Sequence, residues 1–225
     1  MRATLFSPTS VASTSRLLLF FNGWAMTPAS IEHIAIPEGF DLLVIGDYRN
    51  DNFSFDFSPY QEVVLLAWSM GVWAAQRLAL QQKLPPLVKA IAIAGTPLQR
   101  SDEYGIPNAI FDATLASLNE ENRERFNRRM CGGKRLVHLF NSLAQRPTEE
   151  IREELERVQH VGQTEDTSVV EVTSFWTRAH VPLKDRIVPP EHQIAYWNRV
   201  GVEVEIHPEE DHYLFHKINS WSELS

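Results

Sequence analysis

Ser69 sits in the run Ala67-Trp68-Ser69-Met70-Gly71, between an apolar segment and one rich in helix formers. A serine with small residues two positions to either side has the pattern of a strand-to-helix elbow, because the two backbones approach too closely there for larger side chains. Such a serine is held in a strained conformation with its hydroxyl projecting from the sheet. Ala67 fills the first small position, where glycine is commonest. A helix N-cap serine is the competing account of the same residue. A hydroxyl is a weak nucleophile near neutral pH. Acyl chemistry at Ser69 therefore needs a base to take its proton and an acid to orient that base.

Behind an elbow of this kind the chain order is nucleophile, acid, base. His212 follows the last alternating strand, where a loop would return it to the sheet's edge, and it is the candidate base. His207 is the nearest competitor, but it ends that strand and precedes Pro208, which suits a structural role. The other histidines, at 33, 138, 160, 180, 192 and 216, fall on surface helices or strand ends. Asp185, in Lys184-Asp185-Arg186-Ile187-Val188-Pro189, is the candidate acid, with room for one helix and one strand before His212. Asp211 would face away from its neighbour, and Asp166 is a weaker alternative; a capping or ion-paired role beside Lys184 and Arg186 competes for Asp185. An oxyanion needs donors: one is the Met70 N–H at the positive end of a helix, the other the Trp24 N–H in Asn22-Gly23-Trp24, where Gly23 permits the turn. Trp24 and Trp68 are candidate walls for an acyl channel. The single cysteine, Cys131, excludes an internal disulfide and a multi-cysteine zinc site, and no chemistry is assigned to it.

The elements that must carry these residues are legible around them. Arg16–Phe21, Asp41–Gly46, Glu62–Ala67 and Leu87–Gly95 are short apolar runs of the kind that form strands buried on both faces. Gly71–Gln82 is a helix stopped by Pro85-Pro86. Alternating strands and helices predict a mostly parallel α/β sheet flanked by helices, with right-handed crossovers. From Ser101 to Thr164 no convincing strand occurs; helix starts are expected at Ser117…Glu120, as a capping box, and at Thr148…Ile151, with breaks at Gly132-Gly133 and Pro147. So long an insertion reads as a helical lid over 101–164, set into a core formed by 1–100 and 165–225. A strand at Trp176–Val181, a helix at Pro190–Arg199 and a strand at Val202–Ile206 complete the core, and Ser7–Ser15 is a surface turn between the first two strands.

At 225 residues the chain suits one large domain, or a core with a lid. The net charge of −8 makes it a poor general binder of nucleic acid or anionic membrane. Leu17–Phe21 is too short for a secretory signal core and no run is long enough to span a bilayer, so a cytoplasmic monomer is the expectation. One stretch runs against the overall charge. Between Glu121 and Arg135, Arg123, Arg125, Arg128, Arg129, Lys134 and Arg135 stand against Glu121 and Glu124. At helical spacing Arg125, Arg128 and Arg129 share a face, while Phe126 and Met130 share another.

The motifs Phe20-Phe21-Asn22-Gly23-Trp24, Ala67-Trp68-Ser69-Met70-Gly71-Val72-Trp73, Gly95-Thr96-Pro97-Leu98, Tyr104-Gly105-Ile106-Pro107, Asp185-Arg186-Ile187-Val188-Pro189 and Asp211-His212 extend along essentially the whole chain. Through them the chain resembles the α/β-hydrolase superfamily and, within it, the BioG-type pimeloyl-[acyl-carrier-protein] methyl ester esterases. The resemblance implies hydrolysis of the methyl ester capping a carrier-bound pimeloyl chain, in the making of biotin. It implies Ser69 as nucleophile, His212 as base, Asp185 as the orienting acid and the Trp24 and Met70 N–H groups as oxyanion donors, with no metal or organic cofactor. Acyl carrier proteins are acidic, so the basic stretch around Arg125, Arg128 and Arg129 is a candidate docking face for the carrier. Two other functions fit the same residues: a thioesterase or broad-specificity esterase, and a catalytically silent binding protein on the same fold.

Overall fold

The computed structural model of the chain describes residues 1–8, 14–134, 136–164 and 175–224. Seven strands form one sheet: β1 (Arg2–Phe6), β2 (Arg16–Phe21), β3 (Phe40–Gly46), β4 (Glu62–Trp68), β5 (Lys89–Ile93), β6 (Arg178–Pro182) and β7 (Glu203–His207). Their order is β1-β3-β2-β4-β5-β6-β7, and only β1 runs antiparallel to its neighbour. The apolar runs behave as their composition requires. Leu17–Phe21 and Val63–Trp68 are buried without interruption, since helices and loops cover both faces of the sheet centre. β7 forms the far edge, and its burial is only partial.

The register places the chemistry. Phe21 pairs with Ala67 and Trp68 with Ile93, so β2, β4 and β5 end at one level. Pro182 pairs with His207, which brings the ends of β6 and β7 level with each other. Loops leaving the carboxyl ends of parallel strands are where such sheets hold ligands. Ser69, Asp185 and His212 all lie in segments that follow such ends.

Helix α1 (Met70–Leu80) follows β4 directly, and α6 (Pro190–Arg199) starts on Pro190, where a missing N–H costs nothing. Between β5 and β6 the chain forms α2 (Asn108–Ala116), α3 (Glu120–Met130), α4 (Val137–Leu143) and α5 (Thr148–Thr164). The expected capping box at Ser117 is not the start of α3. Asn119 caps that helix, accepting from the Asn122 N–H at 2.9 Å, while Ser117 ends α2 with its hydroxyl donating to the Ala113 carbonyl at 2.7 Å. The backbone at Asn119 is extended and that at Ser117 is not, and an extended backbone is what a helix cap requires. The expected turn at Ser7–Ser15 lies partly outside the described residues.

α5 is held hard against the core. Glu154, fully buried, accepts from the Tyr48 N–H at 2.7 Å and from Arg146 Nη1 at 2.9 Å. Arg146 Nη2 stands 3.4 Å from Asp47. Arg157 reaches the Tyr48 carbonyl at 2.7 Å and Asp51 at 2.6 Å, and Arg49 pairs with Glu153 at 3.0 Å. Asp47, Arg146 and Glu154 form a buried ionic cluster, where removal of a partner leaves an unpaired charge.

Candidate active site

Ser69 occupies the turn between β4 and α1 at φ 55° and ψ −121°, a conformation that non-glycine residues seldom adopt. The cause is packing. A Cβ at position 71 would stand 2.2 Å from the Phe21 carbonyl oxygen, so only glycine lets α1 pass this close to β2. A Cβ at position 95 would fall 2.9 Å from the Ser69 backbone. The elbow is therefore fixed from two sides, and the serine hydroxyl is directed out of the sheet.

Asp185 follows β6, and both its oxygens are saturated. Oδ1 accepts the Ile187 and Val188 N–H groups at 2.8 and 3.0 Å; Oδ2 accepts Gln193 Nε2 at 2.9 Å and meets His212 Nδ1 at 2.8 Å. These contacts suit an ionised, acceptor-only carboxylate and fix the His212 ring with Nδ1 toward the acid and Nε2 free for base work. His212 is itself buried. The Trp68 indole N–H donates to the His212 carbonyl at 3.1 Å, and the two ring centroids lie 5.6 Å apart. The residue immediately before Ser69 thus holds the loop that bears His212. Among the described residues the Ser69 hydroxyl makes no hydrogen bond, so the Asp185–His212 link is closed and the His212–Ser69 link is open. Links of this kind are commonly long in unliganded sites and tighten on substrate.

A narrow cleft opens over Ser69. Trp24 and Met70 line it, and among the described residues neither of their backbone N–H groups donates to a protein acceptor. Its apolar wall comes from the helical insertion and the Asp185 loop, through Ile110 and Phe111 of α2, Phe126 of α3, Leu155 of α5, and Ile187. The Trp24 indole is tied to the Ile151 carbonyl at 2.8 Å and packs edge-on against Phe126 at 4.9 Å. Trp68 is not a wall of this cleft. It is wholly buried beneath His212, packed against Tyr213 and Phe215, because its alternation along β4 points it away from the opening. Gln99, which sequence reasoning missed, also lines the cleft; it is 4 % exposed, and its Oε1 has no hydrogen-bond partner. Gln193 was missed as well. A glutamine eight residues after the acid, on the next helix, carries no recognisable pattern without the fold.

The basic residues of α3 separate into different surroundings. Arg123 is buried, donating to the Leu143 carbonyl and to Thr148, and belongs to the packing of the insertion. Arg125 and Arg128 are exposed and pair with Glu121 and Glu124 one turn earlier on the same helix. Arg129 and Arg186 are exposed and line the cleft itself. Lys134 stands 3.8 Å from Asp211, which turns away from His212 toward the end of α3, as its position predicted. Arg135 and Asp166 lie outside the described residues. Cys131 is buried beside Asp211, and the two effects push its thiol up to about 12, where it is inert.

Comparison with known proteins places this arrangement. The family described as "Pimeloyl-ACP methyl esterase BioG" matches residues 9–224. The crystal structure of BioG from Haemophilus influenzae is similar with a TM-score of 0.86 and 35% identity, covering 100% of this chain and 99% of that one. A Bacteroides fragilis protein named malonyl-[acyl-carrier protein] O-methyltransferase is 39% identical over 190 residues, 84% of this chain and 38% of that protein's length. An esterase from Exiguobacterium antarcticum shares the fold, with a TM-score of 0.72 at 14% identity over 95% of this chain and 89% of its own.

Proposed function

The chain belongs to the BioG family of α/β-hydrolase-fold esterases, and on that premise we propose that it removes the methyl ester from a pimeloyl chain carried on acyl carrier protein, in biotin synthesis. The observation that carries the reading is the Asp185–His212 pair, closed at 2.8 Å and fastened through Trp68 to the residue beside the Ser69 elbow.

In this reading Ser69 Oγ attacks the ester carbonyl while His212 Nε2 takes its proton. The Trp24 and Met70 N–H groups receive the developing oxyanion; losing one such donor typically costs ~10²–10³ in rate. Asp185 holds the imidazolium in place and stabilises its charge. Collapse of the tetrahedral intermediate breaks the bond to the methoxy oxygen, which leaves as methanol with the proton from His212. Water, deprotonated by the same nitrogen, then releases the free carboxylate from the acyl-enzyme. No step calls for a metal or an organic cofactor.

Three features support the substrate. The apolar side chains of the cleft suit a methylene chain. A second groove, sharing Trp24, Phe126 and Arg129 with the first, continues along α3 past Arg125, which gives a carrier-bound chain a path from a basic surface to Ser69. The Bacteroides fragilis relative's name concerns methyl transfer to a carrier-bound malonyl group, and ester removal is the converse of that chemistry.

The test is methanol release from pimeloyl-carrier methyl ester, alongside labelling by a fluorophosphonate. Wild type should release methanol and take the label; Ser69→Ala should lose the label and about 10⁴ or more of the rate. Release of the carrier's thiol without methanol would assign a thioesterase instead. Absence of labelling in folded wild type would assign a silent binding protein.

A further inference from the structure

His180, Glu205 and His207 converge on one face of the β6–β7 edge. In the parallel register His180 pairs with Glu205, and His207 lies two residues further along β7, so all three side chains point the same way. His180 Nδ1 is 2.8 Å from His207 Nε2 and 3.6 Å from Glu205 Oε2, and His207 Nε2 is 3.8 Å from Glu205 Oε1. None of the three takes part in the chemistry proposed above, and the sequence had assigned no metal to the chain. We propose that these residues form a site for a borderline divalent transition-metal ion, of which Zn²⁺ is the type, with water in the fourth position.

The donor set is the one such ions prefer: two imidazole nitrogens and a carboxylate oxygen. Metal–nitrogen bonds of about 2.0–2.1 Å in tetrahedral geometry separate the two nitrogens by about 3.3 Å. The rings need to part by only about half an ångström from their present contact, where one proton bridges them. His180 faces one Glu205 oxygen and His207 the other, so the exposed carboxylate turns to present a single oxygen to both rings. An imidazole binds metal only through a neutral ring's lone pair, and each of the two rings offers one nitrogen to the shared point. The site also has an entrance, since His207 and Glu205 are 22 % and 46 % exposed while His180 forms its floor. Among the described residues Arg178 competes for Glu205, standing 3.6 Å from its Oε2, but it is also paired with Glu203.

Occupancy would staple β6 to β7. These strands lead into the segments holding Asp185 and His212, which are themselves joined where the Leu183 N–H meets the His207 carbonyl and the Lys184 N–H meets that of Glu210, both at 3.0 Å.

The test uses the metal-free full chain titrated with Zn²⁺ by calorimetry, and with Co²⁺ to read the visible absorption of a tetrahedral site. Wild type should bind one ion, and at a hundredfold excess over Kd its Tm should rise on the order of 5 °C. His207→Gln and Glu205→Gln, both at the partly exposed mouth, should keep the metal-free Tm and lose affinity at least about tenfold. His138→Gln, which alters the separate stacked pair with His33, should bind as wild type does. Absence of saturable binding, or unchanged binding in both mouth variants, overturns the proposal.

Discussion

Asp185 accepts from two backbone amides, a glutamine and a histidine, and the glutamine alone among these can be changed without altering the backbone or the base. Gln193 also donates to the Val188 carbonyl, which ties the turn carrying the acid to α6. In the proposed mechanism it is a positioning residue, acting on the ester only through Asp185 and His212. Gln193→Leu should lower kcat about 10- to 100-fold, the equivalent of one hydrogen bond to a charged group, while KM on a small ester stays near wild type. Equal changes in kcat and KM would point to loosened packing instead. The single-residue features visible in the sequence were those with a local cause. Ser69 announces itself through the small residues that crowding demands, and Asp185 and His212 through their order along the chain. Trp68, Arg123 and Gln193 could not be placed because their surroundings come from segments remote in sequence: the 212–215 stretch, the α4–α5 junction and the Asp185 loop.

At the scale of elements, the strands were legible because burial on both faces writes an uninterrupted apolar run, and β2, β3 and β4 fall within a residue or so of the expected limits. β5 is shorter than its apolar run, Lys89–Ile93 within Leu87–Gly95, since the run continues into the turns at both ends. The insertion was legible as helices, but not in how it attaches. Helical periodicity marks the faces of α5; that its Glu154 meets Arg146 and Tyr48 at the end of the sheet depends on the tertiary fold. Much of the expected lid is attached in this way: α5 is bolted to the core through Glu154 and Arg157, and α4 through Ser142, whose hydroxyl accepts from the Thr27 N–H at 2.6 Å. Glu154→Ala should leave the Arg146 charge buried without its nearest partner, at a cost of about 3–5 kcal/mol. For a chain of this size that corresponds to a fall in Tm of roughly 6–20 °C by calorimetry. A shift under about 2 °C would mean that Asp47 and water satisfy Arg146 unaided.

Across the whole molecule, a chain of net charge −8 exposes Arg125, Arg128 and Arg129 on α3, the first two paired with glutamates of the same helix, and a groove leads from them to Ser69. Complementary charge mainly steers encounter and orientation, and it is screened by salt. Reversing Arg125, Arg128 and Arg129 to glutamate should reduce kcat/KM on the carrier-bound ester about tenfold or more at low ionic strength, while p-nitrophenyl ester turnover remains. An equal loss on both substrates would remove α3 from carrier recognition. Arg129 lines the cleft as well, so the Arg125/Arg128 pair should be reversed separately. Among the described residues no helix is long and apolar enough to cross a membrane.

The reacting groups are distributed unevenly over the sheet. Ser69, the proposed nucleophile, leaves a strand clamped between two others, whereas the His212 imidazole follows the last strand, which has a neighbour on one side only. Marginal strands fray before interior ones, and amide exchange would register that order. Gentle warming should therefore abolish turnover by detaching His212, the proposed proton acceptor, while most of the sheet's interior, elbow included, still stands folded.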